Sequence, residues 1–388
     1  MQTLLDQPQL DQRNSRNRPH FVFSGGTTGG HLFPGLAVVE QLRHRWPRAT
    51  YTFVGAGKPL DLQWVAAAHC DYLPVQCQPV SKAPLKALRF LSNQWAGYRD
   101  SLRFLRKHRV SIVVGLGGYS SAPMARAAVT EHVPLVLLEQ NAVPGRVTRW
   151  LSSSAQLIYA AFGEVRPRLK ASGPLRVTGN PVRQRFLDED RVPTLAENTA
   201  VPRVLVLGGS QGATPLNHFV PRALYKAGAH RQKWQIIHQA GEQATETKAL
   251  YHKLGIEATV APFITSIGRV MVNSDFVISR AGGTTLAELA MTATPAILVP
   301  YPHARDNHQW HNAEVFRAAG ATRVVEEHSD AQRLDNLLAA ELTDMAKLVQ
   351  RRRTMSEAMH HLARPDAARH VATMISEIVQ VSRGRLAG

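Results

Sequence analysis

The fold of this chain is decided by one segment, Phe21-Val22-Phe23-Ser24-Gly25-Gly26-Thr27-Thr28-Gly29-Gly30-His31. Its first three residues predict a short buried strand, and a glycine-rich turn follows them at once. From Pro34 to Leu42 the apolar residues recur at helical spacing, which predicts a helix. A strand, a glycine turn and a helix in this order form the opening unit of a doubly wound α/β domain.

Similar patterns continue along the chain. Short apolar strands alternate with helical segments, which predicts parallel sheets joined by crossover helices. The opening pattern restarts in the second half, where 204–207 runs into another glycine turn at 208–212. We therefore predict an α/β fold with two doubly wound, Rossmann-like parallel-sheet domains that face each other across a cleft. The other strand candidates are 52–54, 110–114, 134–138, 234–238, 276–279 and 296–299.

The composition also indicates where the domains begin and end. Residues 1–19 are polar and lack the apolar run of a signal peptide, which predicts a disordered extension. We expect an N-terminal domain at 20–186, an acidic linker containing prolines at 187–202 and a C-terminal domain at 203–365. The helical pattern at 366–388 either closes the second domain or crosses back to the first.

The chain is strongly basic. Its 388 residues include 46 Lys and Arg against 29 Asp and Glu, a net charge of +17. Such a balance favours polyanionic partners: nucleic acid, acidic lipid headgroups or phosphorylated substrates. We expect no nucleic acid partner, because zinc-finger spacing and aromatic-interleaved RNA-binding patterns are absent from the sequence. No stretch approaches the roughly 20 apolar residues that span a bilayer. The two cysteines have no metal-ligand spacing, which favours a reducing compartment.

Four glycine turns follow strand candidates, at 25–30, 115–118, 208–212 and 282–283. Backbone N–H groups at the start of a helix attract anions, and glycine lets a phosphate come close. One such turn is often only structural, but four together predict a ligand that carries phosphate. The turns lack the Gly-Lys-Ser/Thr ending of a P-loop and the G-x-G-x-x-G spacing of dinucleotide-binding proteins, which argues against both classes.

Glu288 lies shortly after the fourth turn, near the start of a predicted helix. A carboxylate at this position can accept two hydrogen bonds from the neighbouring hydroxyls of a ribose. It can equally complement the positive end of the helix dipole. The residues alone leave both interpretations open.

A basic stretch at 82–109 has eight Lys and Arg against one acid, with leucines and aromatic residues between them. A basic amphipathic helix with Leu88, Leu91 and Trp95 on its apolar face can lie among the headgroups of an anionic membrane. The alternative is an ordinary surface helix whose apolar face packs on the core. The pattern alone favours this alternative.

Taken in order, these segments resemble glycosyltransferase family 28, in particular the MurG family of bacterial peptidoglycan N-acetylglucosamine (GlcNAc) transferases. The resemblance runs from Phe21 almost to the end of the chain. So many motifs in the same order make a chance match very improbable. The matching stretches are Gly25-Gly26…Thr28-Gly29-Gly30-His31-x-Phe33-Pro34-Gly35-Leu36-Ala37, Gly117-Gly118-Tyr119, Glu139-Gln140-Asn141, Gly179-Asn180-Pro181-Val182-Arg183, Gly208-Gly209-Ser210-Gln211-Gly212-Ala213, the Glu288 segment and Asp306-Asn307-His308-Gln309-x-x-Asn312-Ala313.

The resemblance implies a two-domain GT-B fold that binds the donor UDP-GlcNAc mainly in the C-terminal domain. The acceptor, a muramyl-pentapeptide linked to undecaprenyl pyrophosphate, would bind in the N-terminal domain. By position, Ser210 would meet the diphosphate, Glu288 the ribose and the Ile264 main chain the uracil edge. Gln309 and His308 would hold sugar hydroxyls. The other implied donor contacts are Thr28, Gly29, Gly30, Asn141, Arg183, Gly283 and Thr284.

The implied reaction is inverting transfer of GlcNAc to the 4-hydroxyl of the acceptor. It needs a base for the hydroxyl proton and stabilisation of the leaving diphosphate. His31 is our first candidate for the base because imidazole titrates near neutrality, and Glu139 is the second. His31 could instead cap the glycine loop or bind acceptor phosphate. Tyr119 is expected to contact the acceptor. Loop amides, a helix dipole and arginine can stabilise the diphosphate, so we expect no metal and no cofactor.

The resemblance and the net charge together favour peripheral association of 82–109 with an anionic membrane, at the cytoplasmic face of the plasma membrane. Three positions depart from the pattern of the family: the additional threonine in Thr27-Thr28, Leu138 in place of a common histidine, and His308 in place of glutamine. The first departure puts the approach of the acceptor diphosphate in doubt.

Three other functions remain in competition. The chain could be another GT-B transferase that uses a UDP-sugar, or a UDP-GlcNAc 2-epimerase. Either enzyme would lack the acceptor-side pattern of 117–119 and 139–141. A third interpretation is a basic binding protein at the membrane that has lost turnover. Retention of His31, Glu288 and Gln309 argues against this last class.

Overall fold

Two parallel β-sheets organise the chain. The structure is a computed structural model that describes residues 18–26, 29–78, 84–169, 174–186, 201–209 and 212–387. Most of the predicted N-terminal extension and linker lies outside these ranges. Two predicted donor contacts, Thr28 and Ser210, lie outside them as well, and so do the side chains of Leu88 and Leu91.

The N-terminal sheet has seven strands in the described residues, in the order β3-β2-β1-β4-β5-β6-β7. Each neighbouring pair is parallel. Its central strands are runs of Val, Ile, Leu and Phe because helices cover both faces of the sheet. The strands are β1 (His20–Ser24), β2 (Thr50–Gly55), β3 (Asp71–Pro74), β4 (Ile112–Gly115), β5 (Leu135–Glu139), β6 (Leu157–Ala160) and β7 (Leu175–Val177).

The C-terminal sheet repeats this plan with six strands in the described residues, in the order β10-β9-β8-β11-β12-β13. All of its pairs are parallel too. The predicted α/β fold with two doubly wound domains is therefore confirmed. The strands are β8 (Arg203–Leu207), β9 (Gln235–Gln239), β10 (Ala258–Ala261), β11 (Phe276–Ser279), β12 (Ala296–Leu298) and β13 (Thr322–Val324).

Helices connect the strands and cover the sheets. The first domain contains α1 (Gly29–Arg45), α2 (Pro59–Ala67), α3 (Pro84–Lys107), α4 (Ala122–Thr130) and α5 (Arg146–Leu151). The second contains α6 (Thr214–Lys226), α7 (Ala229–Gln232), α8 (Ala244–Lys253), α9 (Ile267–Val272), α10 (Gly283–Thr292), α11 (His308–Ala318), α12 (Ala331–Lys347) and α13 (Val349–His361). The chain ends with α14 (Ala367–Ala387). None of the helices in the described ranges is long and apolar enough to cross a membrane.

The helix α14 crosses back to the N-terminal domain. Its apolar residues Val371, Ile375 and Val379 are fully buried in the same core cluster as β1 and α1. The indole Nε1–H of Trp46 also donates to Ser376 Oγ at 3.1 Å. Of the two alternatives for the last helix, the described contacts agree with the one in which it packs on the first domain.

Each sheet reverses its strand order at one place, between β1 and β4 and between β8 and β11. In open parallel sheets, ligands bind at the carboxyl ends of the strands beside such a switch point. The four glycine turns of the sequence follow these four strands. The fold therefore places all four turns at the two positions where a doubly wound sheet binds ligands.

A buried histidine in the C-terminal core predicts a pH-dependent stability. The ring of His238 is fully buried and lies within hydrogen-bond distance of Tyr251 Oη and Asn217 Oδ1. Burial lowers its pKa to about 3, so the folded state keeps the ring neutral while the unfolded chain binds a proton below about pH 6.5. Stability should therefore fall as the pH drops, by about 2 kcal/mol from this residue between pH 6.5 and pH 5.

Urea unfolding at pH 7 and pH 5 measures this effect. His238→Asn should be less stable at pH 7 but should lose less stability on acidification than the wild type. His252→Asn, at an exposed position of the same domain, is the control. Equal pH dependence in His238→Asn and the wild type would contradict the assignment.

Candidate active site

The glycine turns of the N-terminal switch point touch one another. Gly25 has φ +128°, and a side chain there would lie 2.7 Å from the Gly117 carbonyl oxygen. Gly117 and Gly118 also have positive φ, at 88° and 75°. Only glycine adopts such conformations without strain, so the sequence pattern of this region follows from its geometry.

A cavity of about 810 Å³ opens beside these turns. We call it the groove. Its floor is formed by residues of the N-terminal domain, and its far wall includes Arg305, Asp306 and His308 of the C-terminal domain. Arg149 of α5 forms an ion pair with Asp306 across it. The predicted residues that line the groove are His31, Trp95, Tyr119, Glu139, Asn141 and His308.

His31 lies on the first turn of α1, because the helix begins at Gly29 rather than at Pro34 as the sequence pattern predicted. The ring is half-buried and faces Gly117. Burial, with a smaller effect from the nearby His308, lowers the pKa of His31 to about 4. The imidazole is therefore neutral at physiological pH, which is the form that can accept a proton.

Glu139, the second candidate for the base, is almost fully buried at the end of β5. Its Oε1 accepts from the backbone and side-chain nitrogens of Asn141 at 3.2 and 3.4 Å. Its Oε2 accepts from Gly145 N at 2.9 Å and Thr148 Oγ1 at 2.7 Å. Burial raises the pKa of Glu139, and these four hydrogen bonds oppose the rise. Both oxygens thus order the segment 139–148, which favours His31 as the base.

The mouth of the groove is aromatic and basic. Trp95 on α3 is 62% exposed and Trp150 on α5 is 57% exposed, and both line the groove. Tyr119, which follows the glycine turn 115–118, also lines the groove, and burial raises the pKa of its hydroxyl. Arg126 and Arg146 complete this edge. The combination suits a ligand that has both an anionic and an apolar part.

At the boundary between the domains, Arg183 of the N-terminal domain and Glu288 of the C-terminal domain form a buried ion pair with 3.3 Å between Nη2 and Oε1. The Arg183 guanidinium also lies 3.9 Å from the centre of the Phe33 ring. Arg183 follows the turn 179–182, whereas Glu288 lies on α10. Glu288, the predicted contact of the ribose, is therefore held by Arg183, another predicted donor contact. The ribose hydroxyls would have to compete with Arg183 for the Glu288 carboxylate.

Ile264 and Gln309 also make contacts within the protein. The Ile264 amide donates to Gln239 Oε1 at 2.9 Å, and Gln239 Nε2 donates to the Gly209 carbonyl. Gln309 Oε1 accepts from Tyr301 N at 2.9 Å and Ala281 N at 3.3 Å. Both glutamines thus order main chain beside the glycine turns. The sequence did not indicate this role of Gln239, apart from its position at the end of a strand.

The Gly30 carbonyl of α1 accepts a hydrogen bond from the other domain because its usual partner within the helix is missing. Pro34 has no N–H, so the Gly30 carbonyl cannot be bonded four residues on as in a regular helix. Thr284 Oγ1 of α10 donates to this carbonyl at 2.7 Å. Asn180 Nδ2 in turn donates to Thr284 Oγ1 at 3.1 Å. The turn residues Gly29 and Gly30 therefore contact the start of α10, beside Gly283.

Asn312 on α11 joins the domains at a second point. Its side chain is fully buried. Oδ1 accepts from Ala142 N at 2.7 Å, and Nδ2 donates to Asn141 Oδ1 and the Ala281 carbonyl at 3.0 Å each. The sequence motif contained Asn312 but gave it no role. Its role depends on two segments far apart in sequence, which no local pattern could indicate.

Replacing Asn312 with alanine should loosen the contact between the domains. The change removes three hydrogen bonds and leaves buried backbone groups unsatisfied, so the free energy of unfolding should fall by about 2 kcal/mol. Asn312→Asp keeps the acceptor for Ala142 N and should cost less. Urea unfolding compares both with Asn336→Ala, whose amide is exposed on α12. No loss in Asn312→Ala beyond that of Asn336→Ala would contradict the role.

The described residues contain no group of three or more His, Cys, Asp and Glu placed to hold a metal ion. That the reaction needs no metal remains a prediction, and activity measured in the presence of a chelator can test it.

Two Rossmann-like domains that face one cleft, with glycine turns at both switch points, are the GT-B arrangement of glycosyltransferases. Family models agree with this geometry along both halves of the chain. The N-terminal domain of glycosyltransferase family 28 matches residues 21–160, and the C-terminal domain of that family matches residues 203–371. The chain belongs to glycosyltransferase family 28.

Curated relatives and solved structures cover nearly the whole chain. One relative from Anaeromyxobacter dehalogenans is 36% identical over 92% of this chain and 93% of its own length. Another, from Stutzerimonas stutzeri, is 38% identical over 92% of this chain and 98% of its own. Both are named UDP-N-acetylglucosamine–N-acetylmuramyl-(pentapeptide) pyrophosphoryl-undecaprenol N-acetylglucosamine transferase. The crystal structure of Acinetobacter baumannii MurG superposes with a TM-score of 0.69 and 28% identity, covering 92% of this chain and 99% of that one.

Less similar structures share only the fold. The calicheamicin glycosyltransferase CalG4 superposes with a TM-score of 0.63 at 17% identity, over 94% of this chain and 99% of that one. A UDP-GlcNAc 2-epimerase from Neisseria meningitidis does so with a TM-score of 0.62 at 12% identity, over 93% and 100%. The resemblance inferred from the motifs is thus confirmed at the level of the family.

Proposed function

We propose that this protein transfers GlcNAc from UDP-GlcNAc to the 4-hydroxyl of a MurNAc-(pentapeptide) carried on undecaprenyl pyrophosphate, with inversion at the anomeric carbon. The relatives that match over nine-tenths of the chain bear the name of this activity. The observation that carries the proposal is the cleft itself. A histidine-containing groove lies mainly on the N-terminal side, and Arg183 of the N-terminal domain pairs with Glu288 of the C-terminal domain at their boundary.

The C-terminal side suits the donor. Gly283 is the first residue of α10, and the start of a helix attracts a diphosphate. Glu288 lies on the second turn of the same helix, where it would meet the ribose of the same nucleotide. When the anomeric bond breaks, negative charge grows on the leaving UDP. The helix dipole and the Arg183 guanidinium would stabilise that charge.

The N-terminal side suits the acceptor. The neutral His31 imidazole would accept the proton of the 4-hydroxyl as its oxygen attacks the anomeric carbon. UDP leaves from the opposite face of the sugar, which gives inversion. Tyr119 and Asn141 line the same groove and would position the acceptor sugar. The positive edge of the groove, with Arg126 and Arg146, would meet the acceptor diphosphate.

The acceptor lipid would be reached from a membrane surface. The helix α3 spans most of the predicted basic segment and presents Trp95 to solvent. Arg99, Arg103 and Arg106 follow on the same helix, although Arg103 pairs with Asp100 and Arg106 with Glu131. Aromatic rings beside cationic side chains bind interfaces of anionic lipid. We propose peripheral binding of this face to the cytoplasmic leaflet of the plasma membrane.

Acceptor-dependent release of UDP tests the proposal. UDP release from UDP-GlcNAc is measured with and without the lipid-linked muramyl-pentapeptide, in the presence of EDTA. We expect release only with the acceptor, at a rate that EDTA does not change. UDP binding without acceptor-dependent release would contradict the transfer and favour a binding protein. Conversion of UDP-GlcNAc to its 2-epimer without acceptor would favour the epimerase instead.

A further inference from the structure

An aromatic cluster crosses the cleft at the donor end, and none of the functions described above uses it. Trp64 of α2 packs edge-on against Phe33 of α1, with ring centres 5.4 Å apart and planes at 90°. Trp64 also contacts Phe263 of the C-terminal domain, with ring centres 5.6 Å apart and planes at 55°. Trp64 is half-buried. The indole thus belongs to one domain and contacts the other.

The cluster lies beside both anchors of the donor nucleotide. Phe263 directly precedes Ile264, whose main chain is the candidate contact for the uracil edge. The Arg183 guanidinium lies 5.9 Å from the centre of the Trp64 ring and bonds Glu288, the candidate contact for the ribose. A uridine that reached both Ile264 and Glu288 would therefore have its base next to Trp64.

We propose that Trp64 supplies an aromatic wall of the nucleobase pocket, so that a side chain of the N-terminal domain contacts the base of the donor. This inference rests on the proposed use of a uracil nucleotide. Phe263 contacts the indole of Trp64, and a planar base that entered beside Ile264 would meet the same aromatic surface. Stacking of a base on an aromatic ring contributes appreciably to nucleotide affinity.

The proposal has a structural consequence for the domains. Phe33 and Trp64 move with α1 and α2, whereas Ile264 and Glu288 belong to the C-terminal domain. A nucleobase held between them would draw the domains together before the acceptor reacts. Donor binding would then favour the closed cleft, in which Thr284 bonds the Gly30 carbonyl.

Calorimetric titration with UDP and with uridine, both without acceptor, tests the role of Trp64. Trp64→Ala should raise the Kd of each ligand about tenfold, which corresponds to about 1.4 kcal/mol. Trp64→Phe keeps an aromatic face and should bind UDP within about threefold of the wild type. Inorganic pyrophosphate has no base, so its affinity should not change. Tyr225→Ala, at an exposed position of α6, is the control.

An unchanged Kd for UDP and uridine in Trp64→Ala would overturn the proposal. It would also be overturned if Trp64→Ala weakened uridine and pyrophosphate equally, since that would indicate a general loss of structure. If Trp64→Ala does not fold, Trp64→Phe and Trp64→Leu provide the comparison, and equal Kd values for these two would overturn it. A wild type that binds UDP but does not transfer GlcNAc would contradict the proposed function and leave this inference standing.

Discussion

His31→Ala is expected to lower kcat for GlcNAc transfer by about 10²- to 10⁴-fold, the usual contribution of a general base. The Kd of UDP should change little, because His31 lines the groove on the acceptor side. Steady-state kinetics and UDP titration of the same variant separate the two effects. His252→Ala, which removes an exposed imidazole far along the chain, is the matched control.

The pH dependence distinguishes a base from a residue that only binds phosphate. Burial and His308 lower the pKa of His31 to about 4, so kcat/KM should fall only as the pH drops through about 4, where the base becomes protonated. His308→Gln removes one of the two causes of the low pKa of His31, so the acidic fall in kcat/KM should move to higher pH. A rate in His31→Ala within about fivefold of the wild type would contradict the role, since a general base contributes far more.

The second large effect is expected from one added methyl group at Gly283. This residue opens α10 and lies against the Gln140 carbonyl of the other domain, so a side chain there would collide with it. Gly283→Ala should hold the cleft open. The rate should fall about a hundredfold, as expected when reacting groups are displaced by about an ångström.

The helix itself should tolerate that change. Gly283 has an ordinary helical conformation, and alanine is the better helix former. Opening the cleft would break the hydrogen bonds that Thr284 and Asn312 make across it, so thermal unfolding of Gly283→Ala should show a loss of stability comparable with that of Asn312→Ala, alongside its slow turnover. Gly384→Ala adds the same methyl group to α14, where nothing lies within 4 Å. Similar rates in both variants would show that turnover does not need the close contact at Gly283.

The sequence predicted the sheets well where apolar runs are continuous. The segments that became β1, β4, β5, β8 and β11 are buried on both faces, so their side chains alone indicate a strand. The edge strands β3, β7, β10 and β13 were not predicted, and neither was the short interior strand β6, although it is fully buried. Asp71–Pro74 and Thr322–Val324 mix polar with apolar residues, because one side of an edge strand faces solvent.

The candidate site was predicted only in part. The glycine turns at the strand ends could be predicted, because each of them is a short continuous segment of the sequence. The start of α1 was placed too late, because Gly29, Gly30 and Pro34 are poor helix formers. Contacts across the cleft could not be predicted at all. Asn312 with Ala142, and Trp64 with Phe263, are brought together only when both domains have folded.

The most direct test of the account is the structure of the lipid product. The purified protein is incubated with UDP-GlcNAc and the muramyl-pentapeptide lipid, and the lipid is analysed by mass spectrometry and by NMR of its new anomeric proton. We predict a lipid that gains one N-acetylhexosamine in β configuration, with one UDP formed for each lipid converted. An unchanged lipid in the presence of bound UDP-GlcNAc, or a product with retained configuration, would contradict the proposed inverting transfer.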